Sequence, residues 1–338
     1  MPSKISKRLD YIDLLRGIAI LFVVIYHYSY HYNPEYLLRD DDWYLEIGKY
    51  GWSGVDIFFV VSGYCIGMTI IRCKSFIEFI IRRFARLYPG YLIAGIITLI
   101  FYHFFDLPGR EVDWYTGFMN LVFANFIPGL NYQYIDGIYW ALIVEIKFYL
   151  FFGICFFIIK DLEKSIYLWF FFCLIGTFIL FVNKNFNFFT LSILPHANLF
   201  LMGLSIYSFR KLSFIFKIIL LIFLTSTLFV FERYDEFEYY FIFILFLTFI
   251  ILQKKINLNI KFLSYIGLLS YTWYLTHNAI GIILIRELNN LNYQNISIPL
   301  VIIFTFILSA IIYRFFEIKS KSSIIKIYKE LKFKYNLK

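Results

Sequence analysis

The 338-residue chain has few charged residues for its length, since Asp, Glu, Lys and Arg together make up only 16% of it. Apolar residues account for 61% and aromatic residues for 23%. This apolar share far exceeds what a soluble domain needs to fill one core. The composition therefore excludes an ordinary soluble domain and predicts a protein that is largely surrounded by a lipid bilayer.

Cysteine is also scarce, and the spacing of the four cysteines is not typical of a metal site. We interpret them as packing residues, at Cys65, Cys73, Cys155 and Cys173. A cleaved signal peptide is not expected, because the first apolar segment contains Arg16 and lacks a small-residue cleavage site before a soluble domain. This segment is therefore interpreted as a retained helix.

Long apolar runs recur along the whole chain, and a helix of roughly 17–25 such residues crosses about 30 Å of hydrocarbon. We place ten transmembrane helices near residues 11–31, 54–72, 90–105, 138–159, 165–182, 188–208, 214–231, 238–253, 265–285 and 296–316. A further apolar patch at 117–127 is too short to cross and is interpreted as re-entrant or interfacial. The expected fold class is all-α, a polytopic transmembrane helical bundle.

The distribution of basic residues predicts the orientation, because cytoplasmic loops of membrane proteins carry an excess of Lys and Arg. If ten helices begin in the cytoplasm, the cytoplasmic segments hold 24 of the 32 Lys and Arg. Both termini are then cytoplasmic. The net charge of +9 reflects this bias, so nucleic-acid binding is not expected. Residues 319–338 form a basic tail, interpreted either as a helix on anionic lipid or as a solvated segment.

Ionisable groups inside the predicted helices are candidates for function, because each is costly to bury in hydrocarbon without a partner. They are Asp13, Arg16, His27, Asp56, Glu145, Lys147, His196 and His277. Helical spacing places Asp13, Arg16 and His27 on one face of the first helix. A structural alternative is that Asp13 and Arg16 pair near the interface while His27 only bonds within the bundle.

Two histidines and two carboxylates are expected at one depth in the outer half of the membrane: His27, Asp56, Glu145 and His277. This combination is typical of a general base with orienting partners, although a polar network that only fixes helix packing is the alternative. On the cytoplasmic side, the predicted loop 72–89 carries a cluster of three arginines, Arg82, Arg83 and Arg86. The cluster is interpreted either as a topological signal or as a phosphate clamp.

Seven segments, in this order and spacing, resemble those of the acyltransferase 3 family, which comprises bacterial inner-membrane enzymes that O-acylate surface glycans. The segments are LDYIDLLRGIAILFVVIYH, GWSGVDIFFVVSGYCIG, FIIRRFARLYPGY, YWALIVEIKFYLFF, FLMGLSIY, SYIGLLSYTWYLTHN and YRFFEIK. The resemblance matches Arg16 and His27 to the pair by which the family is known. It also matches Asp56, Trp140, Glu145 and His277 to family motifs.

One departure from the family pattern is visible after Trp140. Many members have Glu-Glu-Gln at a position where this chain has Glu145, Ile146 and Lys147. Only the first carboxylate is retained, and Lys147 has no assigned role. The chain is similar to short members that lack an appended extracytoplasmic domain, so residues 1–318 are expected to form the acyltransferase domain.

The residues and the resemblance together predict a mechanism. A cytoplasmic acyl-coenzyme A, with acetyl the expected acyl group, would be held by Arg82, Arg83 and Arg86 and would extend past Arg16. No permanently bound cofactor or metal is expected. His27 would act as general base on a hydroxyl of a surface or lipid-linked glycan, presented by the outer segments 32–53 and 106–137.

The remaining candidate residues have supporting roles in this mechanism. Glu145 or Asp56 would orient the imidazole, and Arg16, Trp140 or a hydroxyl would stabilise the oxyanion. A covalent relay through His27 or Ser62 is an open alternative. Tyr149, His277 and Asp13 complete the set of supporting residues. A transporter or flippase without chemistry is the rival function, but it should show paired repeats or broken helices, and none is visible. A membrane scaffold would leave the shared depth of the four polar groups unexplained.

Overall fold

A computed structural model describes residues 10–32, 48–105, 107–127, 130, 132–182, 193–230 and 260–334. Within these ranges the chain forms helices and no strands. We label the α-helices α1 (Asp10–Tyr26), α2 (Ser53–Ile70), α3 (Phe76–Phe104), α4 (Trp114–Leu121), α5 (Trp140–Ile159), α6 (Leu162–Val182), α7 (Ala197–Ser208), α8 (Phe214–Val230), α9 (Lys261–Asn290), α10 (Gln294–Ile312) and α11 (Ile318–Lys334).

Seven helices in the described ranges are long and apolar enough to cross a membrane, and α7 and α8 contribute shorter apolar helices. The described part of the chain is therefore all-helical, and the protein is a multi-pass membrane protein. The predicted span 238–253 lies outside the described residues. Of the predicted span 188–208, the described helical part covers Leu194–His196 and α7. The apolar patch at 117–127 contains the end of α4 and a short turn of helix at Ala124–Phe126.

The sequence-based boundary of the third helix was wrong, because the predicted loop 72–89 is largely helical and α3 begins at Phe76. Local capping explains this early start. The hydroxyl of Ser75 accepts the N–H of Glu78, and the Glu78 carboxylate accepts the N–H of Lys74. Pro89 lies inside the helix without ending it. The three arginines therefore project from a helix and not from a loop.

Two pairs of helices approach closely where glycines face a neighbouring backbone. Helix α1 packs most extensively on α9, and α2 on α7. A Cβ atom at Gly17 would overlap the carbonyl of Leu263, and side chains at Gly63 and Gly203 would overlap the backbone of the opposite helix. Small residues permit such contacts between membrane helices. The α1–α9 contact holds the helices of His27 and His277 side by side.

The C-terminal part of the chain is one continuous helical rod in the described range. Helix α10 passes through a π-helical turn at Tyr313–Glu317 into α11, which packs against α3. The predicted boundary between the membrane domain and the tail, at residue 318, lies within this rod. Residues 319–334 are thus helical and rest on the protein's own third helix.

Candidate active site

His27 and His277 lie in direct contact in the interior of the bundle. His27 is on the π-helical turn that follows α1, and His277 is in the middle of α9. Their side chains are 6% and 0% exposed. Nε2 of His277 is 3.2 Å from Nδ1 of His27. The two candidate histidines of the sequence analysis therefore form a pair.

Backbone carbonyls around the pair determine where the imidazole protons lie. Nδ1 of His27 is 2.8 Å from the carbonyl of Val23, and Nδ1 of His277 is 2.8 Å from that of Tyr274. A carbonyl only accepts, so each Nδ1 carries the proton in the neutral ring. Nε2 of His277 then accepts the N–H of His27. Nε2 of His27 keeps a lone pair, which is the requirement for a general base.

Glu145 belongs to a second hydrogen-bonded group, with Ser62 on α2 and Tyr149 on α5. The Ser62 hydroxyl donates to the Glu145 carboxylate over 2.6 Å, and the Tyr149 hydroxyl donates to the same oxygen. The hydroxyl oxygens of Ser62 and Tyr149 are 3.3 Å apart. Glu145 therefore orients a serine, whereas the sequence predicted that Glu145 or Asp56 orients His27.

A cavity of about 640 Å³, measured with the space at its mouth, connects this serine group to two arginines. Arg16 and Arg86 line it together with Ser62 and Glu145, and Tyr274 and Leu275 of α9 form another part of its wall. The carbonyl of Tyr274 also accepts the Nδ1 proton of His277. The histidine pair is not among the lining residues, but His277 lies three residues along α9 from Tyr274.

The three arginines of α3 occupy three different environments. Arg82 forms an ion pair with Glu78, at 2.7 Å. The Arg83 guanidinium lies over the rings of Phe79 and Tyr149, and within the described part of the chain its Nε has no hydrogen-bond partner. Arg86 lines the cavity. Of the three, Arg86 is therefore the one best placed to meet a ligand in that cavity.

The remaining candidates are dispersed around these two groups. Asp13 and Asp56 are both buried, on α1 and on the first turn of α2. Trp140 packs against His196, with ring centroids 5.1 Å apart, and against Phe59. Lys147 is buried on α5. The structure thus brings His27 and His277 together, whereas Glu145 joins Ser62.

Four polar residues near the histidine pair were missed by the sequence analysis: Tyr28, Asp136, Tyr139 and Asn278. The hydroxyl of Tyr28 donates to the carbonyl of His277 over 2.5 Å, and that of Tyr139 donates to the carbonyl of Leu275. The carboxylate of Asp136 accepts from the side chain of Asn278. Two sequence signals were available, because Asn278 follows His277 directly and Asp136 precedes Gly137 at a helix start.

Among the described residues, no group of three or more His, Cys, Asp or Glu side chains is arranged to hold a metal ion. The geometry defines a class: a multi-pass membrane protein with a buried histidine pair beside a cavity that contains arginines. A family model described as an acyltransferase domain matches residues 9–314. The chain therefore belongs to this family of acyltransferases, the acyltransferase 3 family.

Two relatives match parts of the chain. One is a peptidoglycan O-acetyltransferase of Listeria monocytogenes, 30% identical over 156 residues, which are 41% of this chain and 22% of the relative. The other is an O-acetyl transferase of Shigella phage Sf6, 33% identical over 87 residues, which are 25% of this chain and 24% of the relative. The chain thus matches less than a quarter of either relative's length. No solved structure matches it significantly.

Proposed function

We propose that the protein is a membrane O-acetyltransferase that moves an acetyl group from cytoplasmic acyl-coenzyme A to a hydroxyl of a cell-surface or lipid-linked glycan. The observation that carries this proposal is the histidine pair, in which His27 presents a base nitrogen and His277 accepts the opposite N–H. Both relatives are named as O-acetyl transferases, which supports the acetyl group. The peptidoglycan enzyme supports a glycan acceptor.

In the proposed reaction, Nε2 of His27 removes the proton of the acceptor hydroxyl as its oxygen attacks the thioester carbonyl carbon. The C–S bond then breaks, and the thiolate of coenzyme A takes the proton back from the imidazolium. His277 assists because its Nε2 and the carbonyl of Val23 both accept from Nδ1 of His27. These two acceptors stabilise the positive charge that His27 carries between the two proton transfers.

The donor is proposed to enter the cavity from the cytoplasmic side and to place its phosphates near Arg86 and Arg16. Guanidinium groups bind phosphate with charge-assisted, bidentate hydrogen bonds. Arg83 has an Nε without a hydrogen-bond partner in the described residues, which also supports an anionic ligand nearby. Arg82 contributes less in this arrangement, because Glu78 already binds it. The thioester would then lie close to Tyr274 and the histidine pair.

A covalent relay is a second candidate mechanism, and one contact favours it. Ser62 donates its hydroxyl proton to the Glu145 carboxylate, as a serine nucleophile does to its base. In this variant the Ser62 oxygen attacks the thioester and releases coenzyme A as the thiol. The acetyl ester then passes to the acceptor hydroxyl with His27 as base. Both versions of the proposal include ten transmembrane helices, cytoplasmic termini and a bacterial inner-membrane location.

The decisive experiment combines an assay in proteoliposomes with mass spectrometry of cell-surface glycans. The purified protein is given acetyl-coenzyme A carrying a labelled acetyl group, and the glycans of cells with and without the protein are compared. We expect a mass increase of one acetyl group per modified sugar and continued release of coenzyme A, beyond one equivalent per protein, only when acceptor is present. Unchanged glycans, together with a rate of coenzyme A release that is the same with and without acceptor, would contradict the proposal. Movement of an unmodified glycolipid across the bilayer would instead support the transporter alternative.

A further inference from the structure

We propose that Asp136 is a positioning residue for the His27–His277 pair, acting through the α9 backbone that follows His277. The inference rests on the proposed function, because it assigns the pair a role in acetyl transfer. The hydrogen bonds of Asp136 are to Ile138, Asn278 and Ala279, and not to either imidazole. Its effect is to hold the segment from Leu275 to Ala279 in place, and each contact that does so is visible in the structure.

Asp136 lies just before the short helical turn Gly137–Tyr139, which continues into α5. One carboxylate oxygen accepts the N–H of Ile138 over 3.2 Å, so Asp136 caps this turn. The side chain is only 1% exposed. A cap of this kind needs no buried position, since exposed aspartates cap helices equally well. The burial of Asp136 therefore requires a second explanation.

The second explanation is its contact with α9. The carboxylate accepts one hydrogen bond from the side-chain amide of Asn278 and another from the backbone N–H of Ala279, the latter over 2.8 Å. A regular helix would direct that N–H at the carbonyl of Leu275. The carbonyl of Leu275 also accepts the hydroxyl of Tyr139, over 3.1 Å. One short segment before α5 thus bonds to α9 on both sides of His277.

The π-helical turn after α1, His27–His31, holds the same stretch of α9 from another direction. The hydroxyl of Tyr28, the residue after His27, donates to the carbonyl of His277 over 2.5 Å. His277 is therefore held between contacts from this turn and contacts from Asp136 and Tyr139. The Nε2–Nδ1 distance of 3.2 Å to His27 is at the upper end of the hydrogen-bond range. A small shift of α9 would break the bond between the rings.

The electrostatics of Asp136 agree with a functional role. Burial raises its pKa above the ordinary value, although its three N–H donors and the nearby Arg110 favour the ionised form. The desolvation of the carboxylate thus outweighs these favourable interactions. A buried carboxylate with a perturbed pKa is a candidate for a functional role, and its contacts with α9 show where that role would act. Asp136 also begins the segment that leads to Trp140, so it connects α9 to the helix that carries Glu145.

The test compares Asp136→Ala and Asp136→Asn with Asp113→Ala. Asp113 is a matched control, because it lies in the same outer segment and caps α4 through the N–H of Thr116, but it is exposed. We expect Asp136→Ala to lower kcat about a hundredfold while KM for acetyl-coenzyme A stays unchanged, as for a misplaced catalytic group. Asp113→Ala should leave both constants near wild type. Hydrogen exchange of the peptide 274–284 should be faster in Asp136→Ala only.

A reciprocal variant keeps the test informative if Asp136→Ala does not fold. In Asp136→Asn combined with Asn278→Asp, the amide introduced at position 136 donates to the carboxylate introduced at position 278. Its oxygen still accepts from Ala279, whereas the N–H of Ile138 loses the oxygen that capped it, because that oxygen is the one that also accepts from Asn278. We expect the kcat of the double variant to be at least about tenfold higher than that of Asp136→Asn alone. The reason is that the geometry of the contact, and not the charge at position 136, holds α9 in place.

Two results would overturn the inference while leaving the proposed function intact: wild-type kcat in folded Asp136→Ala, or an equal loss in Asp113→Ala. Failure of the reciprocal variant to recover any activity while it folds would also count against it. If the wild-type protein transfers no acetyl group, the proposed function itself is wrong and the inference falls with it. Hydrogen exchange then still reports separately whether Asp136 holds α9.

Discussion

Nε2 of His277 accepts the Nδ1 proton of His27 across 3.2 Å, and this contact joins the first and the ninth helix in the interior of the bundle. The relationship gives the two histidines unequal roles. His27 retains a lone pair on Nε2, whereas His277 uses both of its nitrogens in hydrogen bonds. Only His27 is therefore expected to exchange a proton with the acceptor.

The first prediction follows from the different roles of His27 and His277. His27→Ala should lower the acetyl-transfer rate by about 10²–10⁴-fold, the usual contribution of a general base, while the amount of folded protein stays near wild type. The matched control is His103→Ala, because His103 is exposed at the end of α3 and packs only against Phe104 and Trp114 in the described contacts. Labelled acetyl transfer in proteoliposomes measures both variants. Full activity in folded His27→Ala protein would remove the base from the mechanism.

The second prediction separates the three arginines of α3, which the helix places in different surroundings. Arg86→Gln should weaken acetyl-coenzyme A binding about ten- to a hundredfold, because a charge-assisted contact contributes about 1.5–3 kcal/mol. Arg82→Gln is the matched control on the same helix and should change donor affinity little, since Arg82 is engaged with Glu78. Titration of the detergent-solubilised protein with acetyl-coenzyme A measures both.

Equal losses in these two variants would mean that the total positive charge of α3, and not a particular guanidinium, attracts the donor. Arg86→Lys adds a further comparison. It keeps the positive charge that favours cytoplasmic placement but lacks the bidentate fork, so donor affinity should fall while topology is preserved. Wild-type affinity in both Arg86 variants would show that the donor phosphates bind elsewhere.

The third prediction distinguishes direct transfer from a covalent relay. If His27 catalyses direct transfer, Ser62→Ala should retain most of the activity, because the hydroxyl only donates to Glu145 and lies 3.3 Å from the Tyr149 hydroxyl. If Ser62 carries the acetyl group, the same variant should lose essentially all turnover. Incubation with labelled donor in the absence of acceptor, followed by peptide mass spectrometry, tests the second case. A labelled acetyl group on Ser62 would establish the relay.

The sequence predicted the helical class and several individual helices well, because long apolar runs leave few alternatives in a bilayer. It failed at the start of α3, where Arg82, Arg83 and Arg86 interrupt the apolar pattern. There the helix is specified by local capping at Ser75 and Glu78 and not by hydropathy. A hydropathy scan does not register such a signal.

The candidate site was predictable in part. The sequence identified His27 and His277 because ionisable residues are rare inside apolar helices. It did not predict that Glu145 bonds to Ser62, since that contact depends on the relative rotation of α2 and α5. Nor did it select Asp136, which lies in a polar segment before α5 where an aspartate is ordinary. The position of an ionisable residue along an apolar helix is readable from sequence, but the facing of side chains between distant helices is not.

The last prediction concerns the close contact between α2 and α7. A Cβ atom at Gly203 would overlap the carbonyl of Val60, and this backbone atom cannot move aside without separating the helices. Gly203→Val should therefore destabilise the folded protein by at least about 1–3 kcal/mol, the usual effect of overpacking. It should also lower acetyl transfer, because α2 carries Ser62 within one turn of Val60. The thermal unfolding midpoint of the purified protein measures the first effect.

Met202→Leu is the control, since Met202 is buried next to Gly203 and the change conserves volume. An unchanged midpoint for Gly203→Val would mean that α2 and α7 are not in the close contact described, and an equal drop for Met202→Leu would mean that the loss is not specific to that contact.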